Sequence, residues 1–513
     1  MVRWKNIPTN VWLLVIVAAG TLLRLINLGG RPLWYDEAFA ILYAGRSLSE
    51  ILYGTLARVQ GAAADVHPVL YYFSLHGWMS VWGQGVFAVR MLSVLVGIGA
   101  VIAAWGLARE LFGDRVALTA AAFVAGSPFL IAYSQEARMY ASLGFWSSAS
   151  LWAFARAART GGLGVWIAMT LCGALALYSH NLGFLTFAAL GVFVVARAMV
   201  SRPAERREHW KLAAQTALAG LVMAILFSPW LAVAPSQLGK IEQAYWVTRP
   251  DLKTLLQTLI VFHFDFENAK ISPVLVAPLL FGAVLMLSIV IVQTSRRPTG
   301  EDERQRSGVW LLATLALLPV AALFLISQWR PVYIIRGLLP AGVFYVILAA
   351  WATTRMPRVA RYGLLAILAG LAGVTLVSYY GYQDFPRGPF IRLDAMLREQ
   401  MRPGDVIVHS NKMTFFPAHV YDRALPQVFL GDPPGSGSDT LARPTQEALG
   451  LLQTDLELAT MDKSRVWLII FQQAITEAKG VHPHVTWLEA RFTRAETISL
   501  GDVDVMLFVR KAR

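Results

Sequence analysis

Apolar runs recur along most of this chain, parted by short polar stretches rich in arginine. Each run approaches the roughly 20 residues that a helix needs to cross the apolar core of a bilayer. They lie near 11–28, 87–108, 116–133, 141–156, 164–178, 182–199, 212–231, 273–293, 308–326, 337–352 and 362–381. That is about eleven expected spans, an odd number, which puts the two termini on opposite sides. One further segment, "HPVLYYFSLHGWMSVWG" at 67–83, is apolar but short, and carries His67, Pro68 and His76. It is read as a helix lying along the surface, with Trp78 and Trp82 at headgroup level. The loops at 109–115, 156–162, 197–211, 295–306 and 353–361 then all face the cytoplasm, and all are arginine-rich. Counting 67–83 as a span would turn them outward, against the positive-inside rule.

The N-terminus is therefore expected in the cytoplasm, with 11–28 an uncleaved first span rather than a signal peptide. The outer segments are 29–86, 134–141, 179–181, 232–272, 327–336 and everything after 381. That tail, 382–513, has a different pattern. "RPGDVIVHS", "RVWLIIF" and "TISLGDVDVMLFVRK" read as strands, whereas "TFFPAHVYD" and "RPTQEALGLLQTDLELATMD" read as helices. The alternation predicts an extracytoplasmic α/β domain, with "GDPPGSGSD" at 431–439 as a loop. The expected fold class is thus a polytopic α-helical membrane protein: a transmembrane domain over 1–381, amphipathic helices in its first outer loop, and an α/β domain over 382–513.

Composition agrees with a multi-pass membrane protein, and the expected location is the cell inner (plasma) membrane. The 513 residues are 56% hydrophobic and only 15% charged, where soluble domains are about 25% charged. The net charge is +13. Because the basic residues gather in the short loops, the excess belongs to topology and not to nucleic-acid binding. The single cysteine, Cys172, rules out a disulfide framework and a cysteine metal cluster.

The threading sends the unusual polar residues to one side. Asp36 and Glu37 follow the first span in "WYDEAF", and His67 opens the surface helix. Gln135, Glu136, Arg138 and Tyr140 lie between the third and fourth spans, and His180 follows the fifth. His263, Asp265 and Glu267 fall in 232–272, and Arg330, Tyr333 and Arg336 fall between the ninth and tenth spans. Polar groups near membrane depth are costly and mark functional sites. Each also has a plainer role. Asp36 and Glu37 suit the cap and first turn of a helix. Glu136 and Arg138 could form a pair, His67 and His180 could be structural, and the arginines could be interfacial anchors. "FHFDFEN" could hold a divalent cation through oxygen and imidazole. Arg330 and Arg336, on the side where positive charge is scarce, could hold a lipid-linked phosphate. No nucleotide-binding glycine loop is present, and no cofactor is called for with certainty.

"WYDEAF", "HPVLYYFSLHGW", "RELFGDR", "SPFLIAYSQEARMYA", "LYSHNLG" and "YIIRGLLPA" together resemble the bacterial relatives of the protein O-mannosyltransferases. These belong to the GT-C superfamily of integral membrane glycosyltransferases, which includes the lipid A aminoarabinose transferases. The resemblance is strong over 1–200, moderate to 352 and weak in the tail. It implies a GT-C fold and transfer of a sugar from a polyprenyl-phosphate donor to a glycan, lipid or protein acceptor on the outer face. It also implies Asp36 as base, with Glu37 as runner-up or helper. Donor and acceptor binding falls to Glu136 and Arg138, and carrier-phosphate binding to Tyr333 and Arg336. Some relatives have an acidic residue where His67-Pro68 begins, so the chain departs there from the pattern that a borrowed metal site would need, and a divalent metal stays a possible cofactor. A lipid-sugar transporter or flippase and a non-catalytic envelope scaffold are the rival readings. Neither needs a base at position 36.

Overall fold

The computed structural model describes residues 8–59, 65–236, 247–264, 301–431 and 441–511. The first helices are α1 (Thr9–Leu25), α2 (Tyr35–Ala44), α3 (Leu48–Leu56), α4 (Leu70–Trp82) and α5 (Val86–Phe112). Next come α6 (Asp114–Gly126), α7 (Pro128–Ser134), α8 (Tyr140–Thr160), α9 (Leu163–Ser179), α10 (Phe184–Val200) and α11 (Pro203–Leu231). They are followed by α12 (Leu252–Phe264), α13 (Glu301–Trp329), α14 (Leu339–Arg355) and α15 (Arg358–Gly381). The chain forms two compact units. One comprises Met1–Leu28, Arg90–Ala232 and Val247–Tyr380; the other comprises Gly29–Val89, Val233–Trp246 and Gly381–Arg513.

The first unit is a polytopic membrane bundle. Among the described residues, six helices are long and apolar enough to cross a membrane, or seven if the bent pair α6–α7 is one span. This is fewer than the sequence pattern suggested, for local reasons. The helices α1 and α9 have 17 residues each. In α8, Ser142, Ser147, Ser148 and Ser150 dilute the apolar run. The expected span at 273–293 lies outside the described residues. Within the expected loop 232–272 sits α12, an apolar helix whose Val261, Phe262 and Phe264 are buried. At 13 residues it is about 20 Å long, too short to span alone. At the centre, α14 is buried all round from Leu339 to Thr353, as a helix apolar on every side should be.

A proline shapes the bundle. Ser127 caps α7 by accepting from the Leu130 N–H, and Pro128 takes the first helical position. The helix path bends by 59° there. Pro128 has no N–H, so the Val124 carbonyl loses its helical donor. Arg24, fully buried on α1, supplies the replacement. Its Nη2 donates to Val124 O at 3.2 Å, and its Nη1 donates to Ala125 O at 2.8 Å and Gly20 O at 3.1 Å. Its Nε reaches Ser134 Oγ at 3.1 Å. Gly20 permits this approach, since a Cβ there would lie 2.9 Å from the Ala125 Cβ.

The second unit holds α2, α3, α4 and the carboxyl-terminal α/β fold. The helix α4 falls on the segment expected to lie along a surface. It buries Tyr71, Tyr72, Leu75 and Met79 on one face and leaves Trp82 exposed. The tail runs α16 (Phe390–Gln400), β1 (Val406–His409), α17 (Lys412–Tyr421), β2 (Gln427–Phe429), α18 (Arg443–Leu449) and α19 (Leu456–Thr460). It ends with β3 (Arg465–Phe471), α20 (Gln472–Glu477), α21 (Pro483–Arg491), β4 (Phe492–Leu500) and β5 (Val503–Arg510). The strand order is β2-β1-β3-β5-β4, with β1 parallel to β2 and β3, and β5 antiparallel to β3 and β4. Both sheet faces are covered, which explains the unbroken apolar run of β3. Ile407, Trp467, Ile469 and Val505 pack with Phe390, Leu393, Leu397 and Ala418 on one side. Val408, Val466, Leu468 and Phe508 pack with Leu456 and Leu488 on the other. Most of the loop at 431–439 lies outside the described residues.

Within the first of these layers, the buried Asp394 carboxyl is pushed up to about 8, first by burial and then by the Asp422 charge. Its oxygens have no hydrogen-bond partner among the described residues. The folded form keeps the proton that the unfolded chain releases near pH 4. The contribution to stability is therefore whole below about pH 4, falls as pH rises, and is gone above about 8. Asp394→Asn is expected to raise the melting temperature of the tail by about 5 °C at pH 8. The gain should vanish near pH 4, read by thermal unfolding at both values.

Candidate active site

Two clusters of the expected residues can be described, one in each unit. In the second unit, α2 starts after Trp34, which is extended (φ −115°, ψ 173°) and provides no side-chain cap. Asp36 and Glu37 therefore occupy the first turn, where the helix dipole favours negative charge, and neither is the cap residue. The two carboxylates differ in surroundings. Glu37 is fully buried and pairs with Arg387, itself 2% exposed, at 2.8 Å from Oε2 to Nη1. The same Nη1 donates to Pro32 O at 2.8 Å, and the guanidinium lies 5.8 Å from the centre of the Trp34 ring. A buried charge needs such a partner. Asp36 is part-exposed. Glu37, expected as runner-up or helper to the base, is one half of a buried ion pair.

Aromatic residues support this turn. Tyr35, Phe39 and Tyr43 recur every fourth residue, so they stack along one helix face. Phe39 and Tyr43 lie 5.1 Å apart, and Tyr43 meets the edge of Tyr72 on α4 at 5.1 Å. Tyr35 stacks on Phe416 of α17 at 5.5 Å, and the Lys412 ammonium lies 5.4 Å from the Tyr35 ring. His67 hydrogen-bonds through Nδ1 to Asp65 at 2.8 Å. The sequence reading singled out His67 but missed this acidic neighbour.

In the first unit, Glu136, Arg138, Tyr140 and His180 are all buried. Gln135 is buried with its amide committed: Nε2 donates to Arg24 O and Ile26 O, both at 2.9 Å. It thus satisfies carbonyls at the end of α1 that have no helical donor. Ser93 Oγ reaches Arg138 O at 3.4 Å. The Tyr140 ring stands 5.7 Å from His180, and the Arg336 guanidinium lies 5.5 Å over that same ring. His180 Nδ1 accepts from the Leu182 N–H at 3.0 Å and so caps the short helix at Asn181–Gly183. Gly337 lets the chain bearing Arg336 approach, because a Cβ there would lie 2.5 Å from Leu182 Cδ1. Tyr140, His180 and Arg336 therefore form one cluster.

Tyr333 and Arg330 have other surroundings. The Tyr333 hydroxyl bonds to Thr258 of α12 at 2.7 Å, while Arg330 is exposed. His263, a metal candidate from the sequence, shares a 2.8 Å hydrogen bond with the Tyr345 hydroxyl. It lines an apolar cavity of about 250 Å³ with Phe262, Phe264 and Pro128. Asp265 and Glu267 lie outside the described residues. Among the described residues no group of three or more histidine, cysteine or acidic side chains could hold a metal ion.

Residues 66–232 match the family model for dolichyl-phosphate-mannose-protein mannosyltransferase. The chain is 27% identical over 344 residues to the undecaprenyl phosphate-alpha-4-amino-4-deoxy-L-arabinose arabinosyl transferase of Pseudomonas aeruginosa. That match covers 65% of this chain and 58% of the relative, so the chain spans less than two thirds of the length of the curated relative it matches. Its fold is similar to that of ArnT from Cupriavidus metallidurans bound to undecaprenyl phosphate, with TM-score 0.61 and 13% identity. Coverage there is 97% of this chain and 98% of the other. It is also similar to the oligosaccharyltransferase of Archaeoglobus fulgidus in the apo form, with TM-score 0.56 and 13% identity, over 96% and 74% of the two chains.

Proposed function

We propose that this chain, a member of the GT-C superfamily of membrane glycosyltransferases, moves a sugar from a polyprenyl-phosphate carrier to an acceptor hydroxyl. The acceptor oxygen attacks the anomeric carbon as Asp36 takes its proton. The bond from that carbon to the phosphate oxygen breaks, and polyprenyl phosphate leaves with the electron pair. A single displacement inverts the anomeric configuration. The reaction needs a base, positive charge for the departing phosphate, and close placement of the reactants.

The observation that carries this reading is the first turn of α2. Glu37 is buried in an ion pair, which leaves Asp36 as the part-exposed carboxylate of that turn. Support also comes from the relative's named substrate, an undecaprenyl-phosphate sugar, and from the carrier lipid in the similar solved structure. Arg336, held over Tyr140, is assigned to the carrier phosphate. Glu136, Arg138 and His180 are assigned to donor or acceptor binding. The arginine-rich loops support an outer-face reaction, with the N-terminus in the cytoplasm and the tail outside.

The test is release of undecaprenyl phosphate by the purified full chain. The donors are undecaprenyl-phosphate sugars, including 4-amino-4-deoxy-L-arabinose and mannose, offered with a cell-envelope glycolipid extract. One donor should be consumed in step with glycoside formation. If none is, the transfer reading falls. On the active donor, Arg336→Ala is expected to cut kcat/KM by about 100-fold, and Arg336→Lys by less, since lysine keeps the charge but not the planar fork. Initial rates against donor concentration check this.

A further inference from the structure

We infer that the carboxyl-terminal α/β fold is the mount for the acidic turn and that Arg387 is its positioning residue. The inference rests on the transfer reading for its kinetic consequence, but its structural basis stands apart. Segment 32–37 is held at several positions by residues 350 or more places later in the chain. Arg387 takes the Pro32 carbonyl and the Glu37 carboxylate through one nitrogen, both at 2.8 Å. Its backbone forms an antiparallel bridge with Trp34. The Leu33 N–H donates to the Tyr421 hydroxyl at 3.0 Å. Tyr35 stacks on Phe416 and meets the Lys412 ammonium.

Every residue from 32 to 35, and Glu37, thus touches Arg387, α17 or the residue that ends it. Asp36 lies between two residues held in this way, Tyr35 and Glu37. That arrangement fixes the backbone on both sides of the Asp36 carboxylate. Arg387 also cancels the Glu37 charge, so two adjacent carboxylates can share one helical turn. Removing one partner of a buried ion pair leaves an uncompensated buried charge, so the turn depends on Arg387 to keep its form. Small displacements at a reacting group are costly in rate, which gives the mount its kinetic meaning.

The experiment uses the full chain in lipid nanodiscs and two readouts, hydrogen exchange over 30–38 and steady-state kinetics on the active donor. Arg387→Gln is expected to speed exchange over 30–38 by about tenfold. It should also lower kcat by about 10- to 100-fold with donor KM within about twofold of wild type. Arg387→Lys should recover most of both losses. Tyr421→Phe removes a single hydroxyl and should speed exchange at the Leu33 amide in particular, so a poorly folding Arg387→Gln does not leave the question open. Wild-type exchange over 30–38 in both Tyr421→Phe and the Arg387 variants would overturn the mount. So would faster exchange with unchanged kcat, because Arg387 would then not position the reaction. Wild-type protein that turns over no donor would instead strike the transfer reading, with the exchange data still deciding whether the mount exists.

Discussion

Asp36→Asn is expected to lower kcat/KM for sugar transfer by about 1,000-fold or more while the protein still folds and inserts normally. Removing a general base typically costs about 100- to 10,000-fold, and the amide is isosteric with the carboxylate but cannot accept the proton. Folding should survive because the turn is held by its neighbours. Glu37 keeps Arg387, Leu33 keeps the Tyr421 hydroxyl, and Tyr35 keeps Phe416. The variant therefore separates chemistry from architecture. Its donor KM should stay near wild type, since carrier binding is assigned to Arg336 in the other unit. Single-turnover rates with the active donor, beside size-exclusion profiles of the two proteins, make the comparison.

The second large effect is on stability. Arg24→Leu removes the donors that serve Val124 O, Ala125 O and Gly20 O, together with the contact to Ser134. Val124 O has no helical donor to fall back on, because Pro128 has no N–H. Carbonyls left unsatisfied in an apolar bundle cost about 1–3 kcal/mol each, so the loss should be about 3–5 kcal/mol. Arg24→Lys should be intermediate, since one ammonium cannot serve carbonyls spread along a bent helix pair as a guanidinium does. Thermal unfolding in detergent should show the order wild type, Lys, Leu. Equal melting temperatures for all three would mean that the break at Ser127–Pro128 is satisfied by other means.

The long helices α5, α11 and α13 were legible as apolar runs because a bilayer demands length and hydrophobicity, both of which are local properties. The break between α6 and α7 was also written locally, as serine before proline, but nothing local specifies its 59° angle. Arg24 was a charge inside an apolar run, a signal that deserved to be read as a buried hydrogen-bonding group. The helix α12 was hidden inside a presumed loop because its 13 residues fall short of any span threshold. Strands β1, β3 and β5 followed from their apolar and alternating runs, 497–511 was one run that joins the end of β4 to β5, and β2, at three residues, is too short to leave a pattern. The acidic pair stood out by composition, but the difference between its members did not. That difference depends on Arg387, 350 residues away, and long-range pairing leaves no trace in periodicity. Tyr333 and Arg336 looked alike as flanking polar residues, yet one faces Thr258 and the other lies over Tyr140.

The central claim is bond transfer from a lipid carrier, and a label balance tests it most directly. The purified chain in liposomes would receive the active undecaprenyl-phosphate sugar, doubly labelled in sugar and carrier, with acceptor present. Transfer predicts one new glycoside and one free undecaprenyl phosphate for each donor consumed, and neither from Asp36→Asn. Donor that crosses the bilayer with both labels still joined, at the same rate in wild type and Asp36→Asn, would contradict it.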